Sequence, residues 1–248
     1  MQTSGRLART LQSGLAILAA AALAGCSTEV AGTPIAAATG PAPSTSHAPG
    51  TPTTGPSGSV TPPPPTVPGW QVVVADKPGI AYDVPPDWKV ETPDTIIGFS
   101  DNQGNPLVGM NDAALYKSGY CPGQSGSSRG GTGVNSTTTT DPGQAATETA
   151  QKWSTAAYTT ASNVPPTVTA GTPAPITVAG DSGMVVTDTM TVSSSTSCDP
   201  PTALITVVAL PLQNNGGCAL FILYADQGTP DSASSQEIQQ IISSLRAD

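Results

Sequence analysis

The chain of 248 residues carries 17 acidic against 8 basic residues, with 26 glycines and 26 prolines. Pro, Gly, Ser, Thr and Ala dominate the first 69 residues, leaving about 180 to build a packed core, enough for one domain. The acidic balance repels phosphate backbones and anionic headgroups, which argues against nucleic-acid binding and against electrostatic docking on a membrane.

Arg6 and Arg9 precede an apolar run over residues 11–24, and small residues follow; these are the three parts of a signal peptide over residues 1–25. The run is short for a spanning helix, which needs about 20 apolar residues. Leu23, Ala24, Gly25 and Cys26 resemble the lipobox of bacterial lipoproteins. The resemblance implies a diacylglycerol on the Cys26 thiol and cleavage after Gly25. Acyl chains there would hold the protein to the cell membrane on its extracytoplasmic face. Loss of residues 1–25 would leave six basic against 17 acidic residues, a net charge of −11.

Residues 26–69 read as a lipidated cysteine followed by a disordered linker. The tract is nearly free of charge and aromatics, and Pro62 to Pro65 form an unbroken proline run. Proline favours extended polyproline II at about 3.1 Å per residue, so the tract acts as a spacer on the order of 100 Å long. Its Ser and Thr residues beside Pro resemble the O-glycosylated stretches of actinobacterial secreted proteins.

Residues 70–248 are expected to form a single α+β domain. Short apolar runs at 71–74, 80–84, 95–99 and 107–116 are separated by Gly, Pro and Asx turn signals and read as antiparallel strands. A helix follows, with Asp141 as N-cap, Pro142 in the first turn, and Ala146, Ala150, Trp153 and Ala157 at helical spacing. Pro165 and Pro166 bar its continuation. Strands at 184–192, 202–210 and 218–225 come next, and a closing helix carries Ile238, Ile241, Ile242 and Leu245 on one stripe. The last two strands are apolar on both faces, as central strands covered by helices are. The expected architecture is an antiparallel sheet of about six or seven strands flanked by helices.

The stretch IAYDVPPDW at 80–88, the Gly-rich loop at Cys121 and the closing IISSLR resemble a family of actinobacterial envelope lipoproteins of unassigned function. Their domain is similar to the PsbP extrinsic photosystem protein, which implies a PsbP-like α/β/α sandwich. Members of that fold serve as binding or assembly modules without shared chemistry, so the resemblance implies fold more than function.

Besides Cys26 the chain has Cys121, Cys198 and Cys218, which allow one intrachain bridge. If 202–210 and 218–225 form a hairpin with Leu210 opposite Cys218, Cys198 lies about 12 residues further along. At about 3.3 Å per residue this is roughly 40 Å, far beyond the 7 Å a disulfide tolerates between Cα atoms. Cys121–Cys198 is the expected bridge, with Cys218 a buried thiol.

Gly180 to Gly183 spell GDSG, the sequence around the nucleophile of trypsin-like proteases, yet Ser182 would need a histidine base. The chain's one histidine is His47, in the linker, so neither a Ser-His-Asp triad nor a histidine-type zinc site can be built in the domain. GDSG therefore reads as a tight turn. The aspartates match no calcium loop, and no metal or cofactor is expected. Strand alternation places Asp188 among Met184, Val186, Met190 and Val192, and Asp112 among Val108, Met110, Ala114 and Tyr116. Each carboxylate either lines a polar site or is turned outward by a β-bulge. Arg129, in the Gly/Ser-rich loop at 118–133, either presents a cation to an anion or sits in a disulfide-tied surface loop.

The expected function is a non-catalytic binding or interaction module, with an envelope protein as partner and an exposed aromatic patch near Trp70, Tyr82 and Trp88. A carrier of a lipid or other apolar ligand, with a deep pocket under the central strands, is the alternative. An enzyme ranks third. Asp112, Asp188 and Trp88 are the candidate ligand-binding residues.

Overall fold

The computed structural model describes residues 63–193, 196–213 and 216–248; the expected signal peptide, Cys26 and most of the expected linker lie outside the described residues. In chain order the elements are β1 (Gln71–Ala75), β2 (Ile80–Val84), β3 (Lys89–Val90), β4 (Ile97–Ser100), β5 (Pro106–Tyr116), β6 (Gly130–Thr137), α1 (Pro142–Tyr158), β7 (Thr167–Thr169), β8 (Ala174–Val178), β9 (Asp181–Thr191), β10 (Thr202–Pro211), β11 (Cys218–Gln227), α2 (Ser235–Ser243) and β12 (Arg246–Ala247). The fold is α+β. A nine-stranded antiparallel sheet runs β3-β5-β6-β11-β10-β9-β7, with β4 added beside β5 and β8 beside β9. A small sheet, β1-β2-β12, makes a separate layer.

Strand β11 shows why the layers stack as they do. Nine of its ten residues are buried, because side chains alternate between two covered faces. Ala219, Phe221, Leu223 and Ala225 pack with β1, β2 and α2, whereas Cys218, Leu220, Ile222 and Tyr224 pack with α1. The double burial expected of the central strands is present, but helices do not supply all the cover. One face meets α1; the other meets the small sheet together with the short helix α2.

Helix α1 begins where the capping residues place it. The Asp141 side chain accepts from the Gln144 amide at 2.7 Å, and Pro142 occupies the first turn, where its missing N–H costs nothing. Ala145, Ala146, Ala150, Trp153 and Tyr158 form the buried stripe. The helix stops at Tyr158, well before Pro165. Thr159 is extended, and its hydroxyl bonds back to the Thr155 carbonyl at 2.7 Å. Of the GDSG segment, expected as a turn, only Gly180 lies in one: Ala179 (φ 53°) and Gly180 (φ 94°) reverse the chain between β8 and β9, while Asp181, Ser182 and Gly183 begin β9 and leave Ser182 exposed opposite Thr177.

The sequence reading treats 130–133 as loop, whereas β6 is a central strand between β5 and β11. Its glycines are the reason for both facts. A Cβ on Gly131 would lie 2.5 Å from the Tyr224 ring, and one on Gly133 would lie 2.7 Å from Met110 Cγ. Large side chains of the neighbouring strands lie across the first half of this strand, where three of four residues are glycine. The β10–β11 register is also one residue from the expected one: Pro211 faces Cys218, and Leu210 faces Ala219.

Candidate functional site

The residues singled out from the sequence do not assemble into a site. Asp112 sits at a β-bulge, where two residues of β5 (Asp112 and Ala113, between Asn111 and Ala114) stand opposite one of β6 (Gly133, between Val134 and Thr132), and its φ is 46°. The bulge turns Asp112 off the apolar face and lets Ala113 and Leu115 face α1 while Ala114 and Tyr116 face the other layer. The Asp112 carbonyl, not its carboxylate, makes the buried contact, accepting from the Tyr82 hydroxyl at 2.6 Å. Its half-buried carboxyl is held above the usual range by desolvation and by the nearby charge of Asp76.

Asp188 does point inward, among Val186 and Met190, and is fully engaged there. It accepts from the Gly171 amide at 2.9 Å and from the Ser154 hydroxyl at 3.3 Å, which staples the β7–β8 connection to α1. Asp112 and Asp188 lie on β5 and β9, four strand spacings or roughly 19 Å apart across the sheet, so they share no cleft.

Trp88 is a core residue, 1% exposed. It stacks on Tyr116 at 5.4 Å, and its indole N–H donates to Glu237 at 2.8 Å. Tyr82 is buried and Trp70 packs against the same core, so the expected exposed aromatic patch is not formed by these three side chains. Residues 63–69, expected within the linker, include a docked segment: the Thr66 and Val67 amides and the Thr66 hydroxyl all donate to the Asp83 carboxylate.

Cys121 and Cys198 form a disulfide with Cα atoms 5.7 Å apart, and Cys218 is a free, buried thiol beside the Thr140 carbonyl. The bridge ties the Gly/Ser loop after β5 to the loop between β9 and β10. Where these loops meet the C-terminal end of α1 and the strands β3 and β4, they enclose a cleft of about 620 Å³. Ser118, Ser125, Ser127 and Ser128 line one side, and Phe99, Ala157 and Thr160 line another. Tyr120, Tyr158, Tyr224 and Asp226 reach it from the sheet and helix.

Arg129 organises this region from behind. Instead of presenting its charge outward, it is 9% exposed, with Asp226 at 3.2 Å, Asp231 at 3.3 Å and the Tyr120 ring at 3.8 Å. Its guanidinium also donates to the Cys198 carbonyl at 3.3 Å, which couples it to the disulfide. The Tyr120 hydroxyl donates to the same carbonyl at 2.7 Å. Burial pushes the Asp226 carboxyl up to about 6, and the Arg129 contact only partly opposes it. Burial likewise holds the phenols of Tyr158 and Tyr224 well above their ordinary value. The Tyr158 hydroxyl is buried and makes no hydrogen bond within ordinary distance, and the Asp226 carboxylate acts on it as a long, weak acceptor.

No signal in the sequence marks this cleft as a site. Its polar centre joins β6, β11, α1 and the 118–128 loop, and Asp226, which ends an apolar strand, reads from sequence as a residue entering a turn. The cluster carries buried charge and phenol groups without imidazole, and among the described residues no three His, Cys, Asp or Glu side chains gather as a metal centre would require. No helix among the described residues is long and apolar enough to cross a membrane.

Among solved structures, the Saccharomyces cerevisiae Ran-binding protein Mog1p is 11% identical, with a TM-score of 0.40 over 72% of this chain and 95% of its own. A protein from Bacteroides thetaiotaomicron VPI-5482 is also 11% identical, with a TM-score of 0.32 over 73% of this chain and 49% of its own. Neither likeness bears on what the chain does. No curated protein matches. Residues 63–248 match the family model described as Domain of unknown function (DUF8017), and the chain belongs to that family.

Proposed function

We propose that this protein is a lipoprotein anchored through Cys26 on the extracytoplasmic face of the cell membrane, and that its domain is a non-catalytic binding module whose ligand enters the cleft beside the Cys121–Cys198 bridge. The observation that carries the reading is the buried Tyr158 hydroxyl, which makes no hydrogen bond of ordinary length and lines a cleft held open between disulfide-tied loops. Burying a hydroxyl without a partner costs roughly 1–3 kcal/mol, and a bound ligand that hydrogen-bonds to it removes that cost. The cleft volume falls within the range of ligand pockets, roughly 300–1,000 Å³.

The anchor reading rests on the resemblance of residues 23–26 to a lipobox and on the spacer-like composition of the following tract. A carrier of an apolar ligand is less well supported, because both faces of β10 and β11 are filled by the two core clusters. The expected outcome for Cys26→Ser, expressed with its own leader, is a shift of the protein from the membrane fraction to the medium. Retention in the membrane fraction would refute the anchor. For the module, native mass spectrometry of the detergent-extracted full chain should reveal a non-covalent adduct whose occupancy falls in Tyr158→Phe. An adduct indifferent to that change would place binding elsewhere.

A further inference from the structure

Resting on the binding reading above, we infer that the cleft takes a neutral, polyhydroxylated ligand, a saccharide, held by the Tyr158 hydroxyl, the serine rim and the half-buried rings of Phe99 and Tyr120. The first argument is electrostatic. Each charged side chain that lines the cleft already has a partner: Lys89 with Glu91 at 2.7 Å, Asp226 with Arg129 at 3.2 Å, and Asp199 with the Thr196 amide at 2.8 Å. An anionic ligand meets no unpaired cation there, because Lys89, the one cation of the lining, is held by Glu91 and Arg129 is held behind Asp226, and separating that buried Arg129–Asp226 pair is expensive.

The second argument concerns what the lining offers. Hydroxyls both donate and accept, so the rim formed by Ser118, Ser125, Ser127 and Ser128 is complementary to groups of the same dual character. An acyl chain would desolvate those hydroxyls without replacing their water contacts, which disfavours a lipid tail in this cleft. Sugar rings present hydroxyls at their edges and polarised C–H groups on their faces. The electron-rich faces of aromatic rings attract such C–H groups. Phe99 is held in place by edge contacts to Trp153 and Tyr224 at 5.9 and 5.4 Å, and Tyr120 by its hydrogen bond to Cys198 and by Arg129. Rings fixed before binding lose little conformational entropy when a ligand stacks on them.

The test uses the purified full chain titrated calorimetrically with neutral chito-, cello- and malto-oligosaccharides, with palmitate and spermidine as lipid and ionic probes. Tyr158→Phe removes a hydroxyl that makes no hydrogen bond of ordinary length in the fold and only a long contact to Asp226, so its melting temperature should change little. Its affinity for the oligosaccharide should fall about three- to tenfold, the worth of one net hydrogen bond. Ser125→Ala, an exposed rim change, should weaken the same titration without altering the fold. Saccharide binding that neither variant weakens overturns the placement of the ligand in the cleft. If palmitate or spermidine binds in a Tyr158-dependent way and no saccharide does, the saccharide assignment falls while the binding module stands. If none of the probes binds, the saccharide assignment falls, and the absence of an adduct in the native mass spectrum is what would bring down the binding module with it.

Discussion

The carboxylate of Asp83, on β2, meets the guanidinium of Arg246, on β12, at 2.8 Å, with Asp83 fully buried. Asp83 belongs to the stretch IAYDVPPDW and Arg246 closes IISSLR, two segments at opposite ends of the domain. Around this pair, Asp83 also accepts from Thr66 and Val67, and the Asp83 amide donates to the Ser244 hydroxyl at 2.8 Å. Trp88, at the end of the first segment, bonds to Glu237 in the first turn of α2, the helix that leads into the second. Two of the three segments that carry the resemblance are thus a clamp that closes the chain, and their role is in the fold.

Arg246→Ala should therefore destabilise the domain by about 2 kcal/mol at neutral pH, read by urea unfolding. That is less than the roughly 3–5 kcal/mol for breaking a fully buried pair. Two features moderate the loss: the hydrogen bonds from Thr66 and Val67 remain, and Arg246 Nε and Nη2 have no hydrogen-bond partners to lose. The Asp83 carboxyl is desolvated, which raises it, but the hydrogen bonds from Thr66 and Val67 and the contact with Arg246 outweigh this and hold it below the usual aspartate range. Its contribution to stability is thus complete above about pH 4 and disappears as the pH falls through its lowered value. Asp83→Asn should flatten that acid limb.

Asp226 has the opposite sign. Its folded value of about 6 exceeds the unfolded value of 3.8, so between pH 4 and 6 the native state holds a proton that the unfolded chain has lost. Stability from this group is then greatest below pH 4 and declines as pH rises to 6, by about 3 kcal/mol in total. Comparing wild type with Asp226→Asn by urea unfolding at pH 4 and pH 7 isolates the group. The wild type should gain relative to the variant on acidification, and a constant difference between the two would contradict the burial argument.

Reducing the Cys121–Cys198 bridge releases a loop closure spanning 77 residues, and Cys121→Ser/Cys198→Ser should cost about 2–4 kcal/mol. Intact mass of the oxidised chain should lie two hydrogens below the reduced form, and thermal melts with and without reductant give the stability change. Cys218→Ser, at a buried site with a raised thiol, should leave the reductant response intact.

Gly131→Val tests the bare strand. The added side chain would drive into the Tyr224 ring, which itself bonds to Ser128 at the cleft. Overpacking of this kind costs typically about 1–3 kcal/mol. The loss should appear in thermal melting together with weakened ligand binding, because Tyr224 forms part of the cleft wall. A neutral effect would mean that the sheet yields there without strain.

The sequence by itself determined the features that depend on near neighbours. The cap of α1 at Asp141, the hairpin turn at Gly180, the strands at 80–84 and 202–211 and the stripe of Ile238, Ile241 and Ile242 all follow from local hydrogen bonding and from periods of two and 3.6 residues. The pairing of Cys121 with Cys198 was also legible, because strand geometry places Cys218 out of reach of Cys198 and the other two cysteines both fall in loops beyond strand ends. Tertiary structure decided the rest. Gly130 to Gly133 form a strand because Tyr224 and Met110, distant in sequence, occupy the space their side chains would fill. Asp188 is paired because α1 and Gly171 fold back over it, and Asp112 turns away because the register of β5 shifts by one residue against β6. Asp226, Arg129 and Tyr158 become one buried polar cluster because three elements converge there. Their charges and hydroxyls acquire unusual properties from desolvation, and no local pattern encodes the loss of water.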